Sequence, residues 1–185
     1  MNWMLLLTLL NLVMTGLYFY KSVVLLELTQ ELNTFDKLHT EFGRQDMLAA
    51  WEKIEDFHDG HEHPACVLQE YAVGNMAHVK AVDTARARLV HWYQKVAYFH
   101  RHGLLEDRLF AEFPGAFRTQ QFIDRVEPLT LLVCAQRGAP DCHLLFDSLR
   151  AMYALPARTQ ERSGKMACVP EPTLATTAAQ EKEEL

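Results

Sequence analysis

Between residues 58 and 66 the chain reads HDGHEHPAC, which sets His58, His61, His63 and Cys66 beside Asp59 and Glu62. Imidazole, thiolate and carboxylate are the ligand types that zinc, nickel and copper take, and three of them converge on an ion if the segment curls around it. His58, His61, His63 and Cys66 are therefore the candidate metal ligands, and metal binding or sensing is the alternative function. Their spacing is that of no established motif. A helical HExxH pair places its histidines four apart, whereas His58 and His61 stand three apart. Zinc fingers and ribbons need a second cysteine pair, and the remaining cysteines are scattered at 134, 142 and 168. The neighbours also explain these residues singly. His58 falls in the last turn of an amphipathic segment, where a cation complements the helix dipole. Gly60 suits a helix end, and His63 precedes Pro64, which forces extension there.

Two further groups draw the eye. His100-Arg101-His102 ahead of Gly103 reads as a basic helix terminus, with an anionic ligand as the functional alternative. His91, beside Trp92-Tyr93, reads as a buried polar residue or as a pocket lining. There is no G-x-S-x-G, no Walker loop and no G-x-G-x-x-G, so no catalytic residue and no cofactor-binding residue is named. The net charge of −6 argues against nucleic acid as a partner. Glu27 to Glu70 holds 11 acids and 3 bases, and Lys80 to Arg108 holds 6 bases and 3 acids, so these segments are expected to face each other. Cys134 and Cys142 flank the turn-like Arg137-Gly138-Ala139-Pro140 and can approach. In a reducing compartment they act as small buried hydrophobes.

The elements that position these groups begin with WMLLLTLLNLVMTGLYFY, Trp3 to Tyr20, a run without a charge. As a helix it is about 27 Å long, close to the roughly 30 Å of a bilayer's hydrocarbon core. Aromatic residues at both ends suit the interfaces, and neither a basic leader nor a cleavage site marks it as a signal peptide. The expectation is a single-pass protein of the cell (plasma or inner) membrane, with the bilayer as its first partner. Only the α-amine precedes the span, while Lys21, Lys37 and Arg44 follow it, which places the C-terminal part in the cytoplasm. Thr8, Asn11 and Thr15 recur on one face beside Gly16, a pattern that lets membrane helices associate.

Beyond the span, Leu25, Leu28, Leu32, Phe35 and Phe42 form a heptad-like stripe on a helical stalk. Residues 46–57 form a short helix presenting Met47, Trp51, Ile54 and Phe57. A long helical region begins between Ala65 and His78 and runs to His102, with Val82, Leu89, Trp92, Tyr93 and Val96 as the centre of the core. Leu105 to Phe113 makes a short helix, Thr119 to Gln136 a longer one that Pro128 should kink or divide, and a last helix ends near Tyr153. The fold class is all-α: one transmembrane helix (residues 1–26), a helical stalk (27–43), a helical domain (44–155) forming a small cytoplasmic bundle, and a disordered tail (156–185).

Val90 to Gly115, VHWYQKVAYFHRHGLLEDRLFAEFPG, resembles the core segment of an uncharacterised bacterial family of unknown function. The shared features are the aromatic pair Trp92-Tyr93, the basic end at 100–102, Gly103, and a short acidic helix from Leu104 to Phe113. The family pattern follows the aromatic pair with an acid, where this chain has Gln94. The resemblance implies one N-terminal membrane helix on a small helical domain, and it implies no activity. Function is then expected to be interaction: a tethered scaffold, adaptor or accessory subunit for a protein partner, self-associating through the membrane helix or the stalk.

Overall fold

The computed structural model describes residues 3–61 and 63–157. Among them there is no strand. The helices are α1 (Trp3–Phe42), α2 (Gln45–Asp59), α3 (Pro64–Val73), α4 (Met76–Arg101), α5 (Asp107–Phe110), α6 (Ala116–Arg137) and α7 (Leu144–Met152). The expected disordered tail lies outside the described residues from residue 158 onward.

α1 is one unbroken helix of 40 residues, about 60 Å long. It is the one helix among the described residues long and apolar enough to cross a membrane. Its best window has mean hydropathy 1.6, and none of that window is buried. A core helix would hide those side chains. Here Leu9, Leu12 and Phe19 stand free instead, at 63, 71 and 70 % exposure. The far third of the same helix docks into the bundle, burying Glu31 and Leu38.

The stalk differs from its expected stripe. Phe35 and Phe42 pack on the core, but Leu25, Leu28 and Leu32 remain exposed. Leu38, outside that stripe, takes the buried place, because α1 presents to the domain the face that carries Glu31 and Leu38. The indole N–H of Trp92 donates to the Leu38 carbonyl at 3.2 Å, which fixes the crossing.

The bundle follows its periodic residues closely. Met47, Trp51, Ile54 and Phe57 of α2 are all buried, and α2 packs along α4. On α4, Val82, Leu89, Trp92, Tyr93 and Val96 form the centre, each at most 1 % exposed. The aromatic rings make a continuous column. Trp92 meets Tyr93 edge-on at 5.0 Å, Tyr93 stacks on Phe122 at 3.8 Å, and Phe122 stacks on Phe146 at 5.7 Å.

The long central helix, α4, starts at Met76, between Ala65 and His78 as expected; the chain turns at Gly74 after the short α3, and Asn75 caps α4 by accepting the Ala77 N–H at 3.0 Å. Two boundaries depart from expectation. α6 runs through Pro128 without dividing, since Val126, Glu127 and Leu129 are buried on either side and packing holds the turn whose hydrogen bond proline removes. The short helix after Leu105 stops at Phe110. The chain then makes a wide turn in which Phe113 is extended, the Phe113–Pro114 bond is cis, and Gly115 takes φ +79°. That positive φ is open to glycine at little cost, and the turn aims Phe113 at α1.

The acidic and basic segments do face each other. Glu41 of α1 pairs with Lys95 of α4 at 2.6 Å, and Asp46 with Arg88 at 3.7 Å. Cys134 and Cys142 are joined in a disulfide with Cα atoms 6.3 Å apart, inside the usual range for such bonds, where the sequence suggested small buried hydrophobes. The bond closes the loop between Gly138, which ends α6 at φ +66°, and the start of α7.

Candidate functional site

The histidine segment is built from the end of α2 and the start of α3. His58, in the last turn of α2, donates from Nε2 to the Arg125 carbonyl of α6 at 2.8 Å. Burial, the largest influence, holds its imidazole below the ordinary value of 6.5, and the Arg125 charge pushes the same way. It therefore serves as a neutral hydrogen-bond donor rather than as the dipole-complementing cation that its place in the sequence suggests. His61 hydrogen-bonds the Phe57 carbonyl through Nδ1 at 2.7 Å and Glu70 through Nε2. The two contacts hold the ring between the end of α2 and the face of α3. His63 is exposed just before α3. Cys66 lies half-buried in the first turn of α3 and is no free thiol. The four residues named from sequence therefore do not converge. Among the described residues, no group of three or more His, Cys, Asp or Glu side chains is placed to hold a metal ion.

The structure adds Glu70 and His78, which the sequence did not bring forward. Glu70 lies between His61 and His78, whose Nε2 is 4.0 Å from its carboxylate. Phe57 sits against His61, His78 and Tyr71, at 5.3, 5.6 and 6.2 Å. The cluster thus fastens α2, α3 and α4 together at the end of the bundle.

His58 gives this corner a pH dependence. A base whose folded pKa lies below its unfolded value stabilises the fold fully above about 6.5, and that contribution is lost as pH falls through the depressed value. Asp83 adds a second loss at lower pH. Its hydrogen bonds from Tyr71 and Arg86, with the Arg86 charge, outweigh the opposing effect of burial and hold it below its ordinary 3.8. Urea midpoints measured from pH 7.5 to 5 should decline in the parent chain and decline less in His58→Gln. Equal slopes would remove His58 from the explanation.

Inside the bundle, Arg86 is a nearly buried cation. Its guanidinium contacts Asp83 at 2.8 Å and Thr130 at 3.3 Å, and it donates to the Tyr71 hydroxyl at 3.1 Å. Burial and the hydrogen bond to Asp83 raise the Tyr71 phenol to about 12, so it remains a donor at any working pH. Arg86 also lies in the wall of a cleft of about 550 Å³ between α4, α6 and α7. Tyr98, Arg101, Arg137 and Leu145 line the cleft too, and the Cys134–Cys142 bond borders it. Its volume falls in the range of small-ligand sites, and its polar groups are guanidinium, amide and hydroxyl with one acid, Asp141.

The basic terminus on α4 is built as expected for a helix end. His100 contacts Asp107 at 3.2 Å and meets Phe110 edge-on at 4.7 Å. His91 is exposed, neither buried nor in the cleft, because α4 turns that face outward.

The junction between α1 and the bundle is the most elaborated polar contact with the stalk. Glu31, 9 % exposed, accepts the Glu106 N–H at 2.6 Å, and Arg108 lies 3.6 Å from its second oxygen. Farther along, Phe113 packs on His39 at 4.6 Å and on Phe42 at 5.1 Å. Replacing Glu31 by Ala leaves the Glu106 amide unpaired in a half-buried place, which costs about 1–3 kcal/mol. Hydrogen exchange at the Glu106 amide should accelerate by roughly ten-fold or more in that variant, and unchanged exchange would mean the contact is not held. The comparisons add no relative: no family model, no curated protein and no solved structure matches the chain.

Proposed function

We propose that the chain is a single-pass protein of the cell membrane whose helical domain works by interaction, as a tethered scaffold, adaptor or accessory subunit. The observation that carries this reading is the continuity of α1. One helix leaves a bare apolar run at 3–20 and ends locked into the core by Glu31, Leu38 and Phe42. A docked anchor fixes the height and orientation of the domain above the bilayer, which is what a positioning subunit requires and what a flexible tether would not provide. Glu31 lies five residues beyond Leu26, about 7–8 Å along the axis, so the lower end of the bundle sits at the headgroup layer.

Self-association is supported by the side of α1 that the domain leaves uncovered. Asn11, Tyr18, Leu25 and Leu32 stand seven residues apart on it, and Tyr18, Leu25 and Leu32 are well exposed. Thr8 bonds its own backbone at the Met4 carbonyl, but the Asn11 amide has no hydrogen-bond partner among the described residues. An amide in hydrocarbon gains from a partner helix, at about 1 kcal/mol. Cross-linking of the full chain in membranes should capture a dimer or a distinct protein partner, and Asn11→Leu should weaken the dimer by roughly five-fold. Recovery of isolated monomers alone would sink the interaction reading.

A further inference from the structure

We infer that the helical domain faces an oxidising compartment, on the far side of the membrane from the cytoplasm. This reverses the side expected from the charges around the span, and it rests on the membrane anchoring proposed above. The observation is the covalent state of the cysteines. Cys134 and Cys142 are bonded to each other, and no cysteine among the described residues is a free thiol. Both lie half-buried at the end of α6 and in the loop before α7, beside the open cleft rather than in the core. Their proximity is therefore not a by-product of packing two small apolar side chains together. A bond in such a place is reachable by cytosolic glutathione and thioredoxin, which keep protein thiols reduced, whereas it persists in secreted and periplasmic surroundings.

The opposing signal is weaker by its own rule. Positive charges bias orientation when they lie within about 15–20 residues of the span, and long domains cross largely regardless of charge. After Tyr20 only Lys21, Lys37 and Arg44 fall in or near that window, and the segment that follows is a whole domain. Three scattered positive charges are a slight bias, while an accessible disulfide persists only in an oxidising compartment. The partner sought for the domain is then a protein on the outer face of the membrane.

The test uses the full chain in spheroplasts and a membrane-impermeant maleimide. Phe117→Cys on α6 places a thiol at a position that is 77 % exposed, and Lys53→Cys on exposed α2 provides a second site should the first disturb the disulfide. Both are expected to label to the same extent before and after permeabilisation. Peptide mapping of the parent chain is expected to find Cys134 and Cys142 unlabelled until a reductant is added. Labelling of both introduced thiols only after permeabilisation overturns the inference, as does labelling of either native cysteine without reductant. Flotation with membrane vesicles keeps the two ideas apart: a chain that fails to float overturns the anchoring itself, whereas one that floats but is protected overturns only the side.

Discussion

Replacing Arg150 by Ala is expected to lower the stability of the domain by about 3–5 kcal/mol, the usual consequence of stripping one partner from a buried ion pair. Arg150 on α7 grips Glu127 on α6 with both guanidinium nitrogens, Nη1 to Oε1 at 3.1 Å and Nη2 to Oε2. Glu127 is only 5 % exposed, so its carboxylate has little water to fall back on once the guanidinium is gone. Asp147, 3.6 Å from Nη1, adds a second acid. The hydrogen bond to Glu127 raises the Arg150 pKa further, so the guanidinium stays charged across the whole working range. The loss should appear as a lower urea midpoint with an unchanged slope. A double variant, Glu127→Leu with Arg150→Met, removes both charges and should retain most of the stability, because two well-packed apolar residues often match such a pair. If Arg150→Ala falls within 1 kcal/mol of the parent, the pair is not desolvated as described.

Phe122→Ala should be comparably damaging, at about 3–5 kcal/mol. Phe122 is fully buried at the crossing of four elements, stacked between Tyr93 and Phe146 with Trp51 edge-on at 6.4 Å. Truncation removes its transfer energy, opens a cavity that neighbouring rings fill poorly, and loses aromatic contacts worth about 0.5–1.5 kcal/mol each. Against a typical domain stability of about 5–15 kcal/mol, such a loss is a large share. The control is Phe117→Ala, an aromatic on the same helix that is 77 % exposed. Its effect should lie within about 0.5 kcal/mol. Equal effects from the two substitutions, read by thermal unfolding, would place Phe122 outside the core.

Much of this core was legible from periodicity. Met47, Trp51, Ile54 and Phe57 repeat at helical spacing and are buried together, as are Val82, Leu89, Trp92, Tyr93 and Val96. A stripe shows which residues share a face, but not which partner that face meets. The stalk illustrates the difference: Leu25, Leu28 and Leu32 satisfied a heptad pattern, yet the docking face runs through Glu31 and Leu38. Nothing local marks Glu31, because its partner, the Glu106 amide, lies 75 residues away. The histidine segment shows the same limit. His58 finds the Arg125 carbonyl across 67 residues, and Glu70 was one acid among many until α3 folded back beside His61. Pro128 leaves its helix undivided for a related reason, since a rule about one helix gives way when neighbouring helices hold the turn on both sides. The Arg150–Glu127 pair had no local mark at all, being assembled from two helices 23 residues apart.

The continuity of α1 underlies the function proposed for this chain, and alkaline carbonate extraction tests its membrane half most directly. Membranes carrying the full chain, and a second preparation with a chain beginning at residue 27, are washed at high pH and sedimented. The full chain should remain in the pellet and the shortened one should leave it. Release of the full chain into the supernatant would contradict the anchor, and with it the reading of this domain as one positioned at a bilayer.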